Sequence, residues 1–167
     1  MKSLFAVLLL AVVAWSRTPM RSIASAFKLA LVTFALCAAS CRHIPWAAQA
    51  AHNRLIKIEC FAFGGVDFLG QTSAGELAFR TLLRSGKGAE FFKSAISEGT
   101  DEAKLYALCG IRLLDRSSFD AYVEPLLKVD SEVITMSGCL IGREKVAAIV
   151  HQISNGDYDP YLKTLLH

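Results

Sequence analysis

No aspartate or glutamate occurs in the first 50 residues of this 167-residue chain, which hold five of its 18 lysines and arginines (Lys2, Arg17, Arg21, Lys28 and Arg42). All 15 acidic residues therefore lie between positions 51 and 167, beside 13 basic ones, for a net charge of −2 there. The +3 of the whole chain belongs to its N-terminal segment, so a nucleic-acid-binding function loses its main support. Long apolar runs are also lacking. Leu4 to Trp15 and Leu29 to Ala39 are both shorter than the roughly 20 residues that cross a bilayer as a helix. No C-x-x-C pair occurs, and the histidine nearest in sequence to any of Cys60, Cys109 and Cys139 is His52, eight residues before Cys60, so no metal site is expected. With 53% hydrophobic and 20% charged residues, the chain does not have the composition of a disordered polymer.

Residues 1–50 read as a leader. Met20 is the expected start, because Met20 to Lys28 forms a basic n-region and Leu29 to Ala39 the h-region of a secretory signal. The alternative makes Leu4 to Trp15 the signal or first anchor. Two processing sites compete. Ala38-Ala39-Ser40-Cys41 resembles a bacterial lipobox, in which Cys41 is lipidated and becomes the new N-terminus, and Ala48-Gln49-Ala50 is an A-x-A cleavage site. Either outcome exports the chain, to the periplasm or to a membrane-attached position in a bacterial envelope. Membrane contact then comes through the leader or a lipid anchor.

Export permits disulfides, and Cys60, Cys109 and Cys139 allow one bridge in three possible pairings. Cys109 falls in an apolar helical pattern and Cys139 follows Gly138 in a turn, and the preferred bridge is Cys109–Cys139.

Residues 51–167 read as a single helical domain. Leu55 to Phe63 begins with alternation and predicts a short strand. Ser73-Ala74-Gly75-Glu76 fits a capping box before a helix carrying Ala78, Phe79, Leu82 and Leu83. A second helix runs from about Gly88 to Ser97, and Thr100 caps a third whose stretch from Ala103 to Leu114 is apolar nearly all round and is expected at the buried centre. Ser117 or Ser118 is expected to cap a fourth, ended or kinked by Pro125. Val133 to Met136 is β-branched and predicts a second strand, and Arg143 to Ser154 is amphipathic, with Asn155-Gly156 closing it. The expected architecture is mostly α: a compact HEAT-like bundle of about five helices with a short two-stranded β element formed by 55–63 and 133–137.

Chemistry is harder to find. Gly65 to Thr72 matches a phosphate-binding loop except that Gln71 replaces the lysine, and no repeated βαβ unit surrounds it, so a glycine-requiring turn is the better reading and no cofactor is expected. No catalytic residue is assigned. The alternative to a non-enzyme is a thiol-dependent or hydrolytic enzyme using Cys109 or Cys139 with His151. Phe79, Phe91, Phe92, Tyr106, Phe119 and Tyr122 fall at helical spacing and are expected to pack in the core.

The segments Phe61 to Arg80, Gly99 to Asp115 (with YALCG) and Val133 to Ile141 (with MSGC), together with the closing helix and Gly156, resemble a family of small exported bacterial proteins labelled after an accessory protein of microcin gene clusters. The resemblance spans about 100 residues. It implies a compact, mostly helical extracytoplasmic domain, adds support to the Cys109–Cys139 pairing, and implies no activity. The function these readings favour is an exported interaction or accessory module that binds another protein through a helix face or the Gly-rich turn.

Overall fold

The computed structural model describes residues 44–166. These are mostly α-helical with short β elements, as expected. The elements in chain order are α1 (Ile44–Leu55), β1 (Gly65–Val66), β2 (Gln71–Thr72), α2 (Ala74–Leu83), α3 (Gly88–Glu98), α4 (Asp101–Leu114), α5 (Arg116–Leu127), β3 (Glu132–Ser137), β4 (Leu140–Lys145), α6 (Val146–Asn155) and α7 (Asp159–Thr164).

The centre is α4. Thr100 Oγ1 accepts from the Ala103 N–H, Asp101 and Glu102 occupy the positive end of the helix dipole, and every residue from Leu105 to Ile111 is buried. A helix that is apolar on all sides needs neighbours on all sides. Here α2, α3, α5 and α6 supply them, and they contribute Phe79, Phe92, Phe119, Ile149 and Ile153 to one continuous core. Ser73 caps α2 as expected, through its hydroxyl and the Glu76 N–H at 3.1 Å. Gly156, with φ of +90°, closes α6 in the left-handed conformation that glycine adopts without strain.

Four local expectations are corrected. Leu55 ends a helix instead of opening a strand, because α1 begins inside the segment read as leader and buries Ala48, Ala51 and Leu55. Of residues 55–63, Phe61 alone bridges β3, in parallel to Thr135; the full partner of β3 is β4, in antiparallel register from Glu132↔Lys145 to Ser137↔Leu140. The amphipathic helix therefore begins at Val146, three residues later than read. Helix α5 starts at Arg116, and Ser117 and Ser118 donate to the Asp115 carboxylate at 2.7 and 2.8 Å instead of capping. Pro125 lies inside α5, which ends two residues later.

The expected Cys109–Cys139 disulfide is not formed. Cys109 is sealed inside α4, Cys139 is exposed at the turn between β3 and β4, and Cys60, Cys109 and Cys139 are all free thiols. Among the described residues no helix is long and apolar enough to cross a membrane.

Candidate functional site

The Gly-rich segment is a β-hairpin, not a phosphate cradle. Strands β1 and β2 pair through Gly65↔Thr72 and Val66↔Gln71, Asp67 takes a positive φ of 62°, and the Gly70 N–H donates to the Asp67 carbonyl at 3.2 Å. A second hairpin, β3–β4, turns tightly at Gly138-Cys139 with φ of +57° at Gly138.

The two hairpins are joined edge to edge. The Asp67 N–H donates to the Gly138 carbonyl at 3.0 Å, and the Gly138 N–H donates to the Gly65 carbonyl at 3.2 Å. Lower down, the Phe61 N–H donates to the Ile134 carbonyl at 2.8 Å and the Met136 N–H to the Phe61 carbonyl at 3.3 Å. Both bridges are parallel, so the chain enters the two turns in the same direction and the two tips stand side by side.

A buried polar network holds this pair of hairpins to the helices. Glu76 is fully buried; its Oε2 accepts the Gly64 N–H at 2.8 Å, and its Oε1 accepts from the Tyr161 hydroxyl at 2.6 Å and from the Arg80 guanidinium. A carboxylate placed there is tolerated because several donors replace its water. The Ala62 carbonyl accepts from the Tyr106 and Ser73 hydroxyls at 2.6 and 2.9 Å, and the Ala62 N–H donates to Tyr106 Oη at 2.9 Å. Burial pushes the Tyr106 phenol far above its ordinary value, so it stays a neutral donor. Residues 61–64 are thus fixed at both backbone and side-chain level.

Despite that rigidity, the tips present apolar side chains to water. Phe68 is 94% exposed and Leu69 81% on the first hairpin, Leu140 78% and Ile141 70% on the second. Burying each such side chain is worth about 1.5–3 kcal/mol, and here each is left in water on a braced support.

Below the tips, on one face of β3–β4, a groove of about 350 Å³ opens. One wall is aromatic, from Phe61, Phe63 and Tyr158, with the Phe61 and Tyr158 rings edge to face at 5.6 Å. The floor is Thr135, Gly142 and Glu144, and Glu144 Oε1 accepts from Thr135 Oγ1 at 3.2 Å. Burial raises the Tyr158 phenol, and the Glu144 and Asp157 carboxylates add to the effect.

The sequence-derived site residues do not assemble here. Cys41 lies outside the described residues, and Ala50 sits within α1. Burial drives the Cys109 thiol well above its ordinary value, which holds it protonated and inert. Cys139 and His151 are both exposed, and no hydrogen bond joins them among the described residues. Phe79, Phe92, Tyr106 and Phe119 are buried as expected, with Phe91 and Tyr122 packed against them. Sequence reasoning missed Phe61, Phe63 and Tyr158, which sit outside any helical period. His52 is likewise outside the predicted core. It is buried beside Phe91, with ring centroids 5.4 Å apart and no hydrogen-bond partner for either ring nitrogen. Among the described residues no cluster of three or more His, Cys, Asp or Glu could hold a metal ion.

No family model, curated protein or solved structure matches this chain.

Proposed function

We propose that this chain is an exported accessory or interaction module of a bacterial envelope, periplasmic or lipid-anchored, that binds another protein through its paired hairpin tips. One observation carries the reading: Phe68, Leu69, Leu140 and Ile141 stand in solvent on two turns that are hydrogen-bonded to each other and braced from below by Glu76 and Tyr106. Membership of the microcin-cluster accessory family is part of the same proposal and rests on the YALCG and MSGC segments.

Of the two processing sites, the course of α1 favours Cys41. Cleavage after Ala50 would remove seven of the helix's 12 residues, including the buried Ala48, whereas a new N-terminus at Cys41 leaves the helix whole. Cells expressing the chain should yield a mature N-terminal peptide that begins at a lipid-modified Cys41. A peptide beginning at Ala51 would overturn that part.

The binding reading is tested by photocrosslinking in the envelope with a reactive side chain at position 71, whose glutamine is exposed on β2 beside the first hairpin tip, in wild-type and Phe68→Ser/Leu140→Ser backgrounds. A crosslinked species present in the first and absent in the second supports it. Identical patterns in the two, or no crosslinked species in either, would sink it.

A further inference from the structure

The groove beside the hairpin tips specifies its occupant more narrowly than the tips do. We propose that it receives a lysine side chain from an extended segment of the protein partner, with that segment pairing along the free edge of β4. The inference rests on the reading of this face as the docking surface and names the chemistry that docks.

Three observations lead there. The first is the edge. Ile134 and Met136 turn their backbone groups to Phe61, so those of Thr135 face Gly142 across the β3–β4 ladder. By alternation, the N–H and C=O groups of Ile141 and Arg143 point away along the outer side of β4. Residues 140–143 are exposed, and among the described residues nothing pairs with that side. A free edge with accessible backbone groups is a template for an added strand.

The second is charge. Glu144 is the one ionisable carboxylate lining the groove, and no lysine or arginine forms an ion pair with it among the described residues. Arg143 and Lys145 are on the opposite face of β4 by alternation, and Lys145 is held by Asp130 at 2.7 Å. Asp157 adds a second negative charge near Tyr158. The groove therefore offers a half-buried carboxylate and no internal cation.

The third is shape. Gly142 lies between Leu140 and Glu144 on the groove face, where a Cβ would come within 3.1 Å of the Thr135 hydroxyl that donates to Glu144, so glycine keeps that side of the groove low. A residue of an added strand placed beside Gly142 would project on the groove face of β4, one strand spacing from Gly142 and diagonal to Glu144. Its ammonium would reach Glu144 and form an ion pair across the strands.

The test uses the folded chain and an N-acetylated, C-amidated heptapeptide of alternating threonine and valine with lysine at its centre. Analogues carry norleucine or glutamate at the centre, and butylammonium stands for a free amine. Amide chemical shifts are followed by NMR titration. The lysine peptide is expected to shift the Ile141 and Arg143 amides and to bind at least tenfold more tightly than either analogue. Glu144→Gln should erase that preference with the circular dichroism spectrum unchanged, and Arg143→Pro, which removes an outward N–H of the β4 edge without touching Glu144, should weaken lysine-peptide binding by a similar factor. Equal binding of the lysine and norleucine peptides overturns the proposal, as does absence of binding. So does butylammonium binding as tightly as the lysine peptide, which would make the groove a site for a free amine and leave the strand edge without a role. If the hairpin-tip variant loses its crosslink while Glu144→Gln leaves the peptides undistinguished, this inference fails and the docking surface stands.

Discussion

Gly110 shows how a single position can be decided by a contact that no local pattern contains. It lies mid-helix in α4, where glycine costs about 1 kcal/mol relative to alanine, yet a Cβ built there would come within 2.3 Å of the buried Phe92 ring. The glycine lets α3 and α4 approach until an aromatic ring rests on the helix backbone. Gly75 does the same for Tyr106, whose ring would lie 2.6 Å from an added Cβ. Alanine at 110 therefore sets a propensity gain against an overlap with a fully buried ring. Overpacking a full core costs roughly 1–3 kcal/mol, and it acts here on a ring that is fully buried. Gly110→Ala is expected to lower the unfolding free energy in urea by about 1 kcal/mol or more. Gly86→Ala, where nothing lies within 4 Å, should change it far less. Equal effects at the two sites would show that the ring moves aside at little cost.

At the scale of elements, what could be read from sequence was what repeats locally. The burial of α4 followed from its unbroken apolar pattern, and α2 from Ser73 and the apolar residues behind it. The strand at Val133 to Met136 was legible from its β-branched residues, but its partner was not, because Arg143 to Lys145 are also good helix formers. The tight Gly138-Cys139 turn with Leu140 and Ile141 beyond it was the available signal for a hairpin. The groove was illegible for a related reason: Phe61, Phe63 and Tyr158 meet across nearly 100 positions of sequence, brought together by the bridge of Phe61 to β3, by the polar ties of residues 62 and 64 to α2 and α4, and by the turn after α6. Long-range polar ties are equally silent in sequence. Arg112 on α4, 8% exposed, grips Asp159 of α7 with Nε to Oδ1 at 2.7 Å and Nη2 to Oδ2 at 3.0 Å, and donates through Nη1 to the Ser154 carbonyl at 3.1 Å. This fork closes the end of α6 and the start of α7 onto the central helix. Its hydrogen bonds to Arg112 hold the Asp159 carboxyl below its ordinary value of 3.8. A depressed carboxyl stabilises the fold fully above the unfolded-state value and loses that contribution as pH falls through the folded one. Asp159→Asn is therefore expected to cost about 2 kcal/mol at pH 7, since the largely buried guanidinium loses its counter-ion. The gap between variant and wild type should narrow progressively once pH drops below about 4. Thermal unfolding of both chains between pH 3 and 7 measures it. A gap independent of pH would mean that the carboxylate charge contributes nothing to the tie.

For the molecule as a whole, the start of the folded domain is the feature that composition placed least well. The absence of acidic residues before position 51 draws the eye to Ala50, but charge does not mark where packing begins. Helix α1 starts at Ile44 and lays Ala48, Ala51 and Leu55 against α2 and α3, with Leu55 fully buried. A chain beginning at Ala51 keeps five residues of that helix, fewer than the number that holds helical structure by itself. Leu55 would then have to keep its place without the turns that position it. Full burial of a leucine is worth about 1.5–3 kcal/mol, and the loss of Ala48 adds to this. The expected cost is about 3 kcal/mol. For a domain of this size that lowers the midpoint of thermal unfolding by roughly 10 °C. The comparison is between two purified chains, residues 42–167 and 51–167, followed by circular dichroism on heating. A chain that starts at Ala51 and melts at the same temperature as the longer one would show that α1 is dispensable. It would also remove the reason for preferring Cys41 as the point of maturation. The expected drop would show that α1 is part of the folded domain and that the domain begins before Ala51.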